Sequence, residues 1–134
     1  MTETTTPPKS FKAIHWIALV LLFLMMAQPT FDNIRALSTG VLGSGDMGVE
    51  VTFSQMILHI VAMIVGWLGL WWFFQRQKRG AYLSIAAHII GMLAVATQTP
   101  QLLEMFPPAA LAVFFVILFA ITLGPIRMFK EQYS

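Results

Sequence analysis

The sequence predicts an all-α integral membrane protein, a four-helix bundle with both termini in the cytoplasm. Hydrophobic residues make up 57% of the 134-residue chain and charged residues only 10%, whereas soluble domains carry about 25% charged residues. Four apolar stretches approach or reach the roughly 20 residues that a membrane-spanning helix needs. The basic residues cluster in segments between alternate stretches, as they do in short cytoplasmic loops.

The four predicted spans cover residues 11–27, 54–74, 81–97 and 107–129. Together they form a single membrane domain over residues 11–130, between a disordered cytoplasmic tail at 1–10 and a short tail at 131–134. No charged residue interrupts the central part of any span. Pro107 and Pro108 mark the start of the fourth helix, because the first helical turn tolerates proline. Pro125 should bend or end this helix.

The basic residues set the predicted orientation. Short cytoplasmic loops retain Lys and Arg, and seven of the eight basic residues fall on one side of the membrane in this topology: Lys9, Lys12, Arg76, Lys78, Arg79, Arg127 and Lys130. We therefore expect a multi-pass protein of the inner (plasma) membrane. One alternative stays open, because the basic start and short apolar stretch of "KSFKAIHWIALVLLFLMMAQP" are also features of a cleavable signal peptide.

The predicted outer loop, residues 28–53, has two parts. Phe31, Ile34 and Leu37 recur at helical spacing after Thr30, a potential N-cap, which predicts one or two turns lying on the membrane surface. The glycine-rich part that follows ends in an alternating pattern through Val49 and Val51. It predicts either a short hairpin or a flexible turn.

Small residues recur every three or four positions along the second and third spans. Since lipid provides no hydrophobic force between helices, small side chains favour helix contact by letting backbones approach. The predicted packing residues are Ala62, Gly66, Gly69, Gly80, Ala87, Gly91 and Ala94. The fourth span has a sparser stripe of Ala109, Ala112, Ala120 and Gly124. The first span offers fewest small residues, so we expect it at the edge of the bundle.

Two histidines lie on this small-residue face at membrane depth. His59 and His88 form a predicted outward-facing polar pocket with other polar side chains of the two helices: Gln55, Ser84, Thr97 and Gln98. One interpretation is that these groups join the helices by hydrogen bonds. The other is a ligand site, because polar residues within the membrane are costly and often functional. His15, beside Trp16, is expected at the membrane boundary.

The ligand of such a pocket stays open between three classes. A quinone or a lipid headgroup needs only one or two polar contacts in an apolar slot. Haem b would need His59 and His88 as paired axial ligands. Cu(I) would be bound by histidine together with methionine thioethers, supplied by Met25, Met26, Met56, Met63 and Met92. No other metal site is predicted.

Several functional classes are disfavoured by what the sequence lacks. The absence of cysteine excludes disulfides and thiolate metal sites. The basic residues form no continuous patch for nucleic acid. No carboxylate pair or nucleophile with a histidine partner is present, so an enzyme acting alone is not expected.

The predicted function is a binding or accessory subunit of a larger membrane complex. Its partners would be the lipid bilayer and either other membrane subunits or copies of itself. The alternative is a membrane redox component that binds a quinone or haem b through His59 and His88. Four short spans with a longer first outer loop are similar in layout to the DoxX-like membrane proteins. That resemblance involves no motif and implies no site residues.

Overall fold

The computed structural model describes residues 6–43 and 48–134. Within them lie five α-helices: α1 (Lys9–Thr39), α2 (Phe53–Phe74), α3 (Lys78–Gln98), the short α4 (Pro100–Leu103) and α5 (Pro108–Met128), followed by a 3₁₀ turn at Lys130–Gln132. Four of them, α1, α2, α3 and α5, are long and apolar enough to cross a membrane. The predicted all-α four-helix bundle is confirmed.

Helix α1 is longer than the predicted first span. It continues past Ala27 to Thr39 and ends where Gly40 adopts a left-handed φ of 74° and donates its N–H to the Ala36 carbonyl. The prediction of separate surface turns was therefore wrong, because all of residues 28–39 extend the same helix. Thr30 is not a cap, since its hydroxyl donates to the Met26 carbonyl within the helix.

The start of α1 also differs from the predicted boundary. The helix begins at Lys9, so the last two residues of the predicted 1–10 tail are helical, and residues 1–5 of that tail lie outside the described part. With 31 residues and about 1.5 Å of rise per residue, α1 exceeds a hydrocarbon layer of about 30 Å.

A short hairpin follows α1. Strands β1 (Val41–Leu42) and β2 (Val49–Glu50) pair antiparallel, with Val41 opposite Glu50. The Arg35 guanidinium donates to the Gly43 carbonyl at 2.5 Å and ties the hairpin to α1. Of the two predicted alternatives, the structure therefore has the hairpin. We call this side of the bundle the hairpin end, and the opposite side, with residues 75–79 and 127–130, the basic end.

The four long helices close into a ring. Helices α2 and α3 form a tight antiparallel pair, α1 packs on α2 and α5, and α5 packs on α3. The expectation that α1 would lie at the edge was wrong. Its large side chains, including Leu19 and Leu22, belong to the main buried core with Phe73 and Leu118. The interfaces of α1 are therefore filled by large residues, whereas small residues line the interface between α2 and α3.

Helix α5 presents a different face to the bundle from the predicted one. Its start at Pro108 agrees with the prediction, but its buried residues are Leu118, Thr122, Pro125 and Ile126. The predicted stripe points away from the other helices, since Ala109, Ala112 and Ala120 are exposed. A Cβ added at Gly124 would meet nothing within 4 Å.

The basic end is closed by an aromatic cluster around His15. This residue is buried inside the bundle, and its Nδ1 shares a hydrogen bond of 2.7 Å with the Tyr133 hydroxyl. Its ring lies 5.3 Å from the rings of Phe11 and Phe73. Burial raises the pKa of Tyr133 to about 12, against the opposing effect of the nearby Arg76 cation. The cluster therefore anchors the C-terminal segment to α1 and α2.

Candidate functional site

The close approach of α2 and α3 fixes the position of the two histidines. A Cβ added at Gly69 would lie 2.7 Å from the backbone nitrogen of Ser84, and one at Gly66 would lie 3.3 Å from the Ala87 Cβ. Of the predicted packing residues, six are buried and Gly91 is half-buried; the six are Ala62, Gly66, Gly69, Gly80, Ala87 and Ala94. The backbones are thus in near contact along this seam.

A cavity of about 210 Å³ lies beside the seam. All four long helices contribute to it. His59 and His88 both line it, and so do Thr30 and Asn33 of α1 and Phe114 of α5. The other lining residues are apolar or small and include three methionines: Met26, Pro29, Ala62, Met63, Ala87, Gly91, Met92 and Val95. The cavity is thus an apolar space with a few polar groups, the usual composition of a small-molecule site.

His88 presents one fixed nitrogen to its surroundings. Its Nδ1 lies 2.7 Å from the Ser84 carbonyl oxygen of the preceding turn. Because a carbonyl can only accept, Nδ1 carries the hydrogen and donates it. In the neutral ring, Nε2 then has a free lone pair. That Nε2 is buried and has no hydrogen-bond partner among the described residues.

His59 is the less exposed of the two. Only 6% of its surface is exposed, and its Nε2 is also buried, with no partner in the part of the chain that the structure describes. The Asn33 amide donates to the His59 backbone carbonyl at 3.5 Å, at the long limit for such a bond, so α1 contacts α2 at this level. An unsatisfied buried polar group costs about 1–3 kcal/mol, which makes two such groups in one cavity a candidate binding site.

The two imidazoles lie at different depths. Gly66 faces Ala87 and Ala62 faces Gly91, and in this antiparallel register Val65 stands opposite His88. Residues 59 and 65 differ by six positions, or about 9 Å along the helix axis at about 1.5 Å per residue. Side chains also lean towards the N-terminus of their own helix. Since α2 and α3 are antiparallel, the two rings lean away from each other.

This separation argues against one iron or copper ion shared by both histidines. Paired axial ligands of a haem bind the same iron from opposite sides, and the macrocycle would have to lie between helices that are already in near contact. Within residues 6–43 and 48–134, no group of three or more His, Cys, Asp or Glu side chains is arranged to hold a metal ion. A single ligand that contacts both histidines must therefore be long enough to span their separation.

The other predicted pocket residues lie elsewhere. The Ser84 side chain is buried against Gly69 in the seam, and its carbonyl orients His88 from behind. Gln55 belongs to a capping box at the start of α2, where its side chain accepts from the Thr52 backbone N–H at 2.8 Å. Gln98 is half-buried near the end of α3 and does not line the cavity. The Thr97 hydroxyl donates to the Leu93 carbonyl.

Sequence reasoning missed two residues of α1. Thr30 and Asn33 line the cavity together with Met26, but both fall in residues 28–53, for which the sequence predicts an outer loop. The signal that could have placed them is their own spacing of four and three residues, which puts them on one helical face. Thr30 is fully engaged, since its hydroxyl also accepts from the Trp67 indole N–H at 2.9 Å.

A second, larger space of about 450 Å³ lies on the outer surface between α1 and α2. Aromatic and aliphatic side chains line it: Trp16, Leu19, Val20, Phe23, Trp67, Leu70, Trp71 and Phe74. Phe23 and Trp67 meet edge-to-face with ring centroids 5.6 Å apart. Trp67 lines this groove and hydrogen-bonds to Thr30 of the cavity, so this pair lies between the two spaces.

Comparison with protein-family models, with curated proteins and with solved structures gave no match for this chain.

Proposed function

We propose that this protein binds the ring of a lipid-soluble, quinone-type ligand in the cavity between α1, α2, α3 and α5. One observation carries the proposal: two buried imidazole Nε2 atoms, neither with a hydrogen-bond partner within residues 6–43 and 48–134, belong to histidines that line the same apolar cavity. A ligand with a polar oxygen at each end of one ring supplies a partner to imidazoles at different depths, through hydrogen bonds of about 2.8 Å.

The lining supports an aromatic ring rather than an aliphatic group. Phe114 lies on the α5 side, with its ring 5.6 Å from that of His88. The thioethers of Met26, Met63 and Met92 are also available. Sulfur contacts with an aromatic ring are favourable by about 0.3–1.5 kcal/mol. Access would be lateral, from the bilayer through the groove beside Trp67.

The test is to replace both histidines with leucine. The His59→Leu/His88→Leu protein is expected to lose binding of decylubiquinol, measured by quenching of tryptophan fluorescence in detergent. Its melting temperature should stay equal or rise, because two unsatisfied polar groups are removed from an apolar interior.

The matched control for this test is Gln98→Leu. It makes a similar polar-to-apolar change at a half-buried position outside the cavity, and it should keep binding within about twofold, because a change away from such a site alters little. Unchanged binding in the double variant, at normal stability, would disprove the proposal.

We also propose that the protein works as a subunit of a larger membrane assembly, with both termini in the cytoplasm. The outward face of α5 supports this role, because Ala112, Ala120 and Gly124 form a stripe of small residues away from the bundle. Such stripes let a second helix approach closely in lipid. The neighbour is either a second copy of this chain or another membrane subunit.

Cysteine cross-linking tests this second proposal cleanly, because the chain has no native cysteine. Ala120→Cys should give a covalent adduct in native membranes when a bifunctional thiol- and amine-reactive reagent is added. Ile17→Cys, on the exposed side of α1, is the control and should give much less. Equal yields from the two positions would show that α5 has no preferred neighbour.

A further inference from the structure

We infer that the cavity selects the reduced, hydroxyl-bearing form of its ligand, and that His88 determines this specificity. The inference rests on the proposed function and refines it. It names which member of the quinone/quinol couple the site accepts.

The first step concerns the hydrogen on the His88 ring. The Ser84 carbonyl is only 2.7 Å from Nδ1, and this bond requires the hydrogen to be on Nδ1. Nε2 is then an acceptor in the neutral ring. Among the residues that the structure describes, no Asp, Glu, Lys or Arg lines the cavity, so none of them is in place there to stabilise a doubly protonated imidazolium.

The second step concerns what can meet that lone pair. A quinol hydroxyl donates a hydrogen bond to it. A quinone carbonyl only accepts, so it would leave two lone pairs facing each other and the buried nitrogen unpaired. Sites built to hydrogen-bond a substrate hydroxyl reject analogues that lack it, because the site's own polar groups then stay unpaired.

His59 does not impose the same selection. Asn33 donates to the backbone carbonyl of His59 and not to its ring, and the described contacts fix no hydrogen on the ring nitrogens. In either neutral tautomer one nitrogen donates and the other accepts. His59 can therefore adapt to a hydroxyl or to a carbonyl, and the discrimination falls to His88.

The experiment compares the dissociation constants of decylubiquinol and decylubiquinone for the purified full-length protein. The wild type should bind the reduced form at least tenfold more tightly. A tenfold preference corresponds to a midpoint potential of the bound couple raised by about 30 mV. His88→Gln should bring the ratio close to one while binding persists, because a rotatable amide both donates and accepts. His59→Gln should weaken both forms and keep the ratio.

The outcomes separate this inference from the proposed function. If both forms bind the wild type equally, or if His88→Gln keeps the full preference, the selectivity inference is overturned and quinone-type binding stands. If neither form binds to a folded wild-type protein, both fall. Preference for the oxidised form would mean that Nε2 acts as a donor, which also overturns the assignment.

Discussion

The roles of His15 and His88 in this protein depend on burial and on the group to which each is hydrogen-bonded. His15 shows this most clearly, because a residue expected at the membrane boundary is enclosed between Phe11 and Phe73 and bonded to Tyr133. The same two factors act on His88, whose free nitrogen is set by the Ser84 carbonyl. In both cases the sequence shows that a histidine is present. The hydrogen bond made by its Nδ1 decides which ring nitrogen remains free to bind another group.

Tyr133 gives a pH-dependent prediction at this scale. Its pKa is raised from 10.0 to about 12 by burial, so the folded state holds the phenolic proton more tightly than the unfolded state does. The contribution to stability is complete below pH 10 and is lost as the pH rises towards 12. We expect a loss of the order of 1 kcal/mol by pH 11, since one pKa unit is worth about 1.4 kcal/mol.

The measurement for Tyr133 is the melting temperature in detergent between pH 9 and pH 11. Tyr133→Phe should flatten the decline, because the titrating hydroxyl is gone. Tyr82→Phe, which changes an exposed tyrosine, should leave the decline as in the wild type. A Tyr133→Phe curve parallel to that of the wild type would count against the buried anchor.

Two kinds of interface hold the helices together. Helices α2 and α3 pack through small side chains and glycines, whereas α1 and α5 pack through large apolar side chains. In the α2–α3 seam, a Cβ added at Gly69 would lie within 3 Å of Ser84. The interface of α1 with α5 includes Leu22 and Leu118, both almost fully buried. A small-residue pattern therefore located the first interface correctly and could not locate the second, because large apolar residues also face lipid.

The seam predicts different effects for two glycines on the same interface. Gly69→Ala should destabilise the protein by about 1–3 kcal/mol, because its Cβ would press on backbone that cannot move independently. Gly91→Ala should be neutral or stabilising, since its Cβ would meet only the Ala62 Cβ at an ordinary 3.8 Å and alanine favours the helix by about 1 kcal/mol.

The comparison of these two variants is made by thermal unfolding in detergent. Gly124→Ala, where a Cβ meets nothing, reports the effect of helix propensity alone. An equal loss of stability for Gly69→Ala and Gly91→Ala would contradict the register from which the depths of His59 and His88 were derived.

Two features describe the whole molecule: the unequal charge of its two ends, and the packing of four helices into a ring. The basic end carries most of the Lys and Arg residues, and the hairpin end carries Arg35 with Asp32, 3.7 Å apart. Helix α1 supplies Phe11, Ala18 and Leu22 to the core. Removing residues up to Ala27 as a signal peptide would open the ring and expose this core, so we expect α1 to be retained.

Single cysteines test the proposed orientation. Glu104→Cys and Ser38→Cys lie at the hairpin end. Both should react with a membrane-impermeant maleimide that is added to intact cells and can reach the outer face of the membrane that holds the protein. Gln75→Cys, at the basic end, should react only after the membrane is broken. The physical reason is that short loops rich in Lys and Arg stay in the cytoplasm. The reverse labelling pattern would invert the topology and leave the fold unchanged.

By itself, the sequence determined the number of long helices, the start of α5 at Pro108 and the α2–α3 seam. These follow from local properties: the length of an apolar run, a proline that cannot donate, and small residues at helical spacing. It also pointed to His59 and His88, because a polar residue in an apolar run stands out.

Only the tertiary structure decided the rest. It continued α1 through Pro29, turned the small face of α5 outward and brought Thr30 and Asn33 to the cavity. It also set the two imidazoles about 9 Å apart in depth, from a register at about 1.5 Å per residue. These features depend on which helices meet and at what level, and contacts between distant residues settle that. The hydrogen bond between Trp67 and Thr30 is an example, because neither segment's sequence pattern predicts it.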